Sequence, residues 1–305
     1  MDNPKHGRTL LSDPAGMLPA HFPPFFSGLP FTARQVGNKL TWLLAAGEIR
    51  QLLQGVYVDA QVPETVALRA AGVALLARPG KTAYGQTAAW IHGIETTALN
   101  SDSADRVPLQ WTDTATDVVE IAGLSVTSPL ATALHLAKHL PRPFALSAVD
   151  AILRSGLVKL QQLQTAVEGH PDVAGIHQAR QIVSHADPRA ESPGESWLRL
   201  RLRDAGFGRP TLQIPVQGPN RNYRIDMGYP DHVDNGRRLG LEYDSDRWHS
   251  RPRQETRDEH RRTELESFGW HIISVRRPDL WGHYPALELA VGAFLSTWPR
   301  LPRRW

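Results

Sequence analysis

Two short segments carry most of the chemistry available to this chain of 305 residues. Arg224-Ile225-Asp226 and Gly240-Leu241-Glu242-Tyr243-Asp244 each read as a strand that ends in acid. A strand sends alternate side chains to the same face, so Glu242 and Asp244 point one way while Tyr243 packs behind them. Asp226, Glu242 and Asp244 gathered on one sheet edge repel unless a cation is bound or one of them is protonated. A bound divalent cation is therefore expected there. No lysine follows Lys159, so no ammonium group of this region can serve the same site.

The elements that must position these groups follow from the pattern after residue 187. Ala186 to Glu191 reads as a short polar linker. Ser192-Pro193-Gly194-Glu195 opens a helix to about Asp204, with serine at the cap, proline in the first turn and glutamate three residues on: a capping box. Glu195 is thereby open to a structural or a functional reading. Gln213 to Val216, Tyr223 to Met227 and Leu239 to Tyr243 read as strands, separated by Gly218-Pro219-Asn220 and Asp234-Asn235-Gly236. A helix over about Gln254 to Phe268 stops at Gly269, Trp270 to Val275 is a buried-type strand, and a helix from about Pro285 to Thr297 closes the chain.

The earlier part is different in character. Residues 1–30, with Pro19, Pro23, Pro24 and Pro30, read as an irregular arm. Residues 31–59 read as Thr32 capping a helix, a turn at Gly37-Asn38, a helix over Asn38 to Ala46 and a hairpin turning near Gln54-Gly55, the outline of a winged helix. Residues 60–187 mix a helix over Thr65 to Leu76, β-like runs around 107–111 and 118–126, and helices over about 129–139, 144–155 and 172–184. Zero cysteines exclude disulfides, zinc–thiolate sites and a cysteine nucleophile. A net charge of +3 excludes a polycation that coats nucleic acid indiscriminately, and no apolar run approaches a membrane span, so a cytoplasmic protein is expected.

The order Glu195, Gln213, Asp226, Glu242 with Asp244, His249, Asp258 with Arg261, and Gly269-Trp270 resembles the PD-(D/E)XK nuclease superfamily, most closely its branch related to very-short-patch-repair endonucleases. The resemblance covers about Glu191 to Trp298 and implies a restriction-endonuclease-like αβββαβ domain that hydrolyses DNA phosphodiesters with Mg²⁺ or Mn²⁺. It implies Asp226 and Glu242 as metal ligands supported by Asp244, Glu195 orienting a water, and Gln213 as a water or metal partner. Asp244 occupies the position of the superfamily's usual lysine, which leaves His249 as the candidate general base. Upstream, Arg50-to-Tyr57, Ala88-to-Gly93 and Val126-Thr127-Ser128-Pro129 resemble AbiEi-type antitoxins, DNA-binding partners of nucleotidyltransferase-type toxins. That resemblance implies a helix from Asn38 in the major groove, with Lys39, Arg50 and Gln51 at the DNA. The chain departs from the antitoxin pattern after Ser128-Pro129, where it has Ala131-Thr132 and His135.

The expected protein is thus of mixed α/β class in three parts after the arm: a winged helix over 31–59, a mixed middle domain over 60–187 and a nuclease-like domain over 188–305. Arg251, Arg253, Arg257, Arg261 and Arg262 form the candidate phosphate-binding face of the last part. Asp258 and Arg261, one helical turn apart, suit an i,i+3 ion pair or an anchor to the sheet at least as well as a phosphate contact. Trp248 and Trp270 could stack on a base, Arg300, Arg303 and Arg304 could reach phosphates, and His92 and His135 read as packed helix residues. The function expected is that of an endodeoxyribonuclease in phage defence, DNA repair or a toxin–antitoxin setting. The alternative is a non-catalytic DNA-binding regulator of antitoxin type.

Overall fold

The structure, a computed structural model, describes residues 28–96, 107–219, 221–244 and 252–305, with side chains in the last stretch described from residue 259 onward. The chain forms two compact units, Met1–Ala77 and Arg78–Trp305.

In the first unit β1 (Phe31–Thr32), α1 (Ala33–Val36), a 3₁₀ turn (Gly37–Lys39) and α2 (Leu40–Ala45) precede the hairpin β2 (Ile49–Leu53) and β3 (Val56–Asp59). The sheet order is β1-β3-β2, and Gly55 takes the left-handed φ of +80° that the hairpin turn requires. Phe31, Leu43 and Ile49 form its small core. The expected helix from Asn38 is shorter, because residues 37–39 wind as a 3₁₀ turn. Helix α3 (Val66–Ala74), read from sequence as part of the middle segment, lies on β2: a Cβ on Gly72 would come within 2.7 Å of Leu52.

The second unit begins with β4 (Thr82–Ala83), α4 (Gly85–Ile91), β5 (Trp111–Thr112), β6 (Val118–Ile121) and β7 (Leu124–Thr127), a sheet of order β5-β4-β7-β6. The single run expected over 118–126 is a hairpin, turned by Ala122 and Gly123 at positive φ. Helices α5 (Pro129–His139), α6 (Arg142–Arg154), α7 (Leu160–Glu168) and α8 (Ile176–His185) pack around Leu136, Leu146, Ile152, Leu163 and Ile182. Ser128 caps α5, its Oγ accepting from the Ala131 N–H at 3.1 Å.

Helix α9 (Pro193–Asp204) then leads into β8 (Thr211–Gln217), β9 (Asn222–Asp234), β10 (Arg237–Tyr243), α10 (Pro252–Ser267) and β11 (Trp270–Val275), followed by α11 (Arg277–Trp281) and α12 (Ala286–Phe294). The sheet order is β11-β10-β9-β8; β10 and β11 run parallel and the other pairs antiparallel. This is the expected αβββαβ order, with a longer β9 and the unforeseen α11. The β9–β10 turn uses Asn235 and Gly236, both at positive φ, as a two-residue hairpin demands.

The segment read as a polar linker is packed instead. Ala186, Asp187 and Ala190 are buried, because Asp187 donates its N–H to Asp150 Oδ1 (2.8 Å) and its carboxylate accepts from Arg189 and Arg209. Asp150 on α6 also receives Ser196 Oγ (2.6 Å) and Arg199 Nη2 (2.5 Å) from α9, and Asp150 and Arg199 are each 1% exposed. One of the C-terminal arginines, Arg303, is committed too. Arg303 grips the buried Glu288 through Nε (2.8 Å) and Nη2 (2.6 Å), so it is a structural clamp rather than a phosphate contact. Among the described residues no helix is long and apolar enough to cross a membrane.

Candidate active site

The site is assembled where α9 meets β8, β9 and the last residues of β10; Asp226 lies within β9 rather than at the strand end expected of it, because β9 runs on to Asp234. Ser192 Oγ accepts from the Glu195 N–H at 3.2 Å, the half of the capping box that starts the helix. The other half is not made: the Glu195 carboxylate turns away and Oε2 accepts from the Glu191 N–H (3.0 Å) and from Gln213 Nε2 (2.8 Å). Glu195 is only 6% exposed. Gly194 allows this approach, because a Cβ there would fall 2.0 Å from the Tyr243 ring on β10.

Pairing of Leu212 with Met227 and of Ile214 with Ile225 sets Gln213 across from Asp226. Gln213 itself has φ +53°, a left-handed conformation costly for a residue with a Cβ. On the other side β9 and β10 pair as far as Met227 and Leu241. Beyond that pair the Asp226 side chain takes over from the ladder, with Oδ2 accepting from the Tyr243 N–H at 2.9 Å. Strands that part at this level leave Asp226 and Glu242 at the mouth of a wedge.

Glu242 Oε2 accepts from Arg261 Nη1 of α10, and Arg261 Nη2 donates to the Arg224 carbonyl at 2.8 Å. Among the described residues Glu242 Oε1 and Gln213 Oε1 are buried with no hydrogen-bond partner. Such atoms are rare in folded proteins and costly to leave unmet. Burial pushes the Glu195, Asp226 and Glu242 carboxyls above the usual range. They also act on one another: Asp226 raises Glu195, and Asp244 raises both Asp226 and Glu242. Asp244 is half-buried and extends β10 by donating its N–H to the Val275 carbonyl at 2.9 Å.

Glu195, Gln213, Asp226, Glu242 and Asp244 are thus brought into one electrostatic neighbourhood. Among the described residues, however, no three acidic or histidine side chains stand close enough to hold an ion as they are. The donor set still suits a hard divalent cation, since it offers carboxylate and amide oxygens, two of them unmet. His249 and Arg251 lie outside the described residues, as do Trp248 and the side chains of Arg253, Arg257 and Asp258. Arg224, a possible partner for Asp226, pairs with Glu191 instead at 2.6 Å. Arg262 Nη2 donates to Ser274 Oγ at 2.6 Å. Trp270 is 4% exposed within a core of Ile225, Leu265 and Ile272, so it is not available to stack on a base. The bond from Arg261 to Glu242 makes Arg261 an anchor to the sheet, one of the roles left open for it, though Glu242 as its acceptor was not foreseen. Its signal was present: Arg261 lies one helical turn before the fully buried Leu265, on the stripe of α10 that faces the sheet.

In the first unit Arg50 is engaged by Glu64 (3.3 Å) and the Val62 carbonyl (3.0 Å). Gln51 is exposed and Lys39 half-buried, while α2 shows Trp42 and Leu44 to solvent. In the second unit His92 Nε2 bonds the Thr127 carbonyl at 2.8 Å, the packing role expected of it. His135 borders a cavity of about 780 Å³ together with Tyr84, Asp117 and His170.

Comparison with known proteins divides the second unit. Residues 198–289 match the restriction endonuclease-like family model REase_MTES_1575, and residues 103–185 match the model of the AbiEi antitoxin C-terminal domain. The two matches, one after the other, support a fusion of a stretch similar to the AbiEi antitoxin C-terminal domain with a restriction endonuclease-like one. Gln213, Asp226, Glu242, Asp244 and Arg261 fall within the endonuclease-like match, and Glu195 just before it. Two proteins of Mycobacterium tuberculosis, the uncharacterized protein MT2308 of strain CDC 1551 and the uncharacterized protein Rv2248 of strain H37Rv, are each 37% identical over 156 residues. The alignment covers 51% of this chain and 56% of each relative, so the chain spans about half the length of the curated relatives it matches. No solved structure matches.

Proposed function

We propose that the chain is a metal-dependent DNA endonuclease, of the branch related to very-short-patch-repair endonucleases, with its first unit acting as a winged-helix DNA-binding head. The observation that carries this reading is the pair of unmet oxygens, Glu242 Oε1 and Gln213 Oε1, buried among carboxylates at a parted strand end. Glu242 and Asp226 would hold Mg²⁺ or Mn²⁺, and Asp244 adds negative charge at the rim. The ion would supply a Lewis-acidic centre for the charge that builds on the phosphate during hydrolysis. The protein's own residues do the rest. Gln213 ties one oxygen of Glu195 and leaves the other to orient the attacking water. His249 serves as base, since no lysine is present after Lys159.

The test is direct. Purified protein nicks supercoiled plasmid with Mn²⁺ or Mg²⁺, whereas Glu242→Ala loses nicking by about a hundredfold or more while keeping its gel-shift affinity. Wild-type protein that shifts DNA but never cuts it across metals, substrates and pH would sink the proposal.

A second reading has its own support. Arg261 already neutralises Glu242, and an antitoxin domain precedes the nuclease-like one. In this reading the fold is a scaffold for a non-catalytic DNA-binding regulator, partnered by a nucleotidyltransferase-type toxin. Failure to cut, together with rescue of cells from such a toxin, would favour it.

A further inference from the structure

Arg261 stands where the carboxylate cluster has greatest need of positive charge. Its guanidinium bonds Glu242 Oε2, and its charge is felt by Asp226 as well, lowering both carboxyls against the upward push of burial. The pairing is nevertheless incomplete. A guanidinium normally grips a carboxylate with two parallel bonds. Here Nη2 is spent on the Arg224 carbonyl, so Glu242 receives one bond and Oε1 is left buried without a partner.

Two further facts bear on what this arrangement is for. Among the described residues the acidic side chains do not converge tightly enough to hold an ion as they stand, with Arg261 on Glu242. Arg261 is also the movable member: its side chain is 33% exposed, against 13% for Glu242, and its bond to the Arg224 carbonyl lies at the surface. A divalent cation sharing Glu242 with a guanidinium would face direct repulsion. One that replaced it could use both carboxylate oxygens and relieve the unmet one.

We propose that Arg261 is the resident counterion of this site, that a divalent cation displaces it from Glu242, and that the released guanidinium then meets a phosphate oxygen of the DNA. The inference rests on the metal-dependent reading above and gives it an order of events: metal first frees the arginine, and the arginine then serves the substrate. It also places the positive charge that lysine supplies elsewhere in the superfamily on an arginine of a different element, α10.

Titration of the full chain with Mn²⁺ alone, by calorimetry or by loss of the free-ion electron paramagnetic resonance signal, tests it without any cutting. Arg261→Gln removes the competitor and binds Mn²⁺ about tenfold more tightly than wild type. Arg261→Lys keeps the charge and gains much less. In gel shifts Mn²⁺ strengthens DNA binding by wild type, and the gain is absent in Arg261→Gln. Circular dichroism establishes that both variants fold, and the lysine variant carries the comparison if the glutamine variant does not. Equal or weaker Mn²⁺ binding by folded Arg261→Gln overturns the counterion role while leaving the nuclease reading standing. Wild-type protein that binds no Mn²⁺ overturns both.

Discussion

At the scale of single residues, the candidate site is held together by groups that each do half of an ordinary job. Glu195 leaves its capping box half made, Asp226 stands in for a strand carbonyl, and Glu242 has one oxygen bonded and one not. Gln213 is the clearest instance, because it accepts a left-handed backbone in order to face Asp226 and bond Glu195. Strain of this kind concentrates at functional sites, where the surrounding structure enforces it. Asparagine tolerates positive φ but is too short to reach Glu195. Gln213→Asn is therefore expected to keep stability within about 1 kcal/mol in urea unfolding while nicking falls by about tenfold or more. A matching loss in both measurements would mean that Gln213 is only a structural residue. The carboxylates were legible in the sequence because acid between Leu241 and Tyr243, or after Ile225, is uncomfortable without a purpose. Their tethers were not, since each runs between segments far apart in the chain, as from Arg261 to Glu242.

At the scale of elements, α9 is the hub. One end presents Glu195 to the sheet, and the body sends Ser196 and Arg199 into α6, where both meet Asp150. Removing one partner of a buried charge pair strands the other, so Asp150→Ala should cost about 3–5 kcal/mol in chemical unfolding. A loss under about 1 kcal/mol would mean that the site relaxes around Arg199. The order of strands and helices in the nuclease-like region was legible: Trp270–Val275 is the strand expected and α9 ends where it was read, whereas β9 runs on to Asp234 and α11 gave no signal. There the local signals agree with one another, with a cap, a proline, alternating apolar residues and glycine stops. Elsewhere the pattern spoke less plainly. Helix α7 shows little to a reader beyond Leu163 and Val167 on a short, glutamine-rich turn, and 118–126 hid a hairpin because Ala122 carries a left-handed turn without advertising it. The linker failed for a different reason. Asp187 looks solvated until its partners Asp150, Arg189 and Arg209 are known, and Glu191 until Arg224 is.

At the scale of the whole molecule, acid sensitivity is expected from histidines remote from the carboxylate cluster. Burial lowers the His135 and His185 imidazoles from 6.5 to about 4, reinforced by His139 and Lys138 at the first and by Arg203 and Arg142 at the second. Between those values the unfolded chain binds protons that the folded chain refuses. Their contribution to stability is thus intact above pH 6.5 and is lost as pH falls toward 4. The raised carboxyls of Glu195, Asp226 and Glu242 act in the opposite sense, their contribution fading as pH rises through their folded values. The difference between wild type and His135→Gln/His185→Gln isolates the histidines. The double variant should show a shallower fall of melting temperature between pH 6.5 and 4, and parallel curves would refute the assignment. The buried join at Asp150 carries a last consequence, for inheritance rather than for chemistry. A flexible thread between domains can be cut without cost, but this one is anchored in the core at Ala186, Asp187 and Ala190: Asp187 and the Asp150–Arg199 pair would be left raw by a cut at residue 188. An antitoxin-like region and a nuclease-like region joined in this way are expected to be inherited as one piece, since either alone would present an uncovered charge at the face it shares.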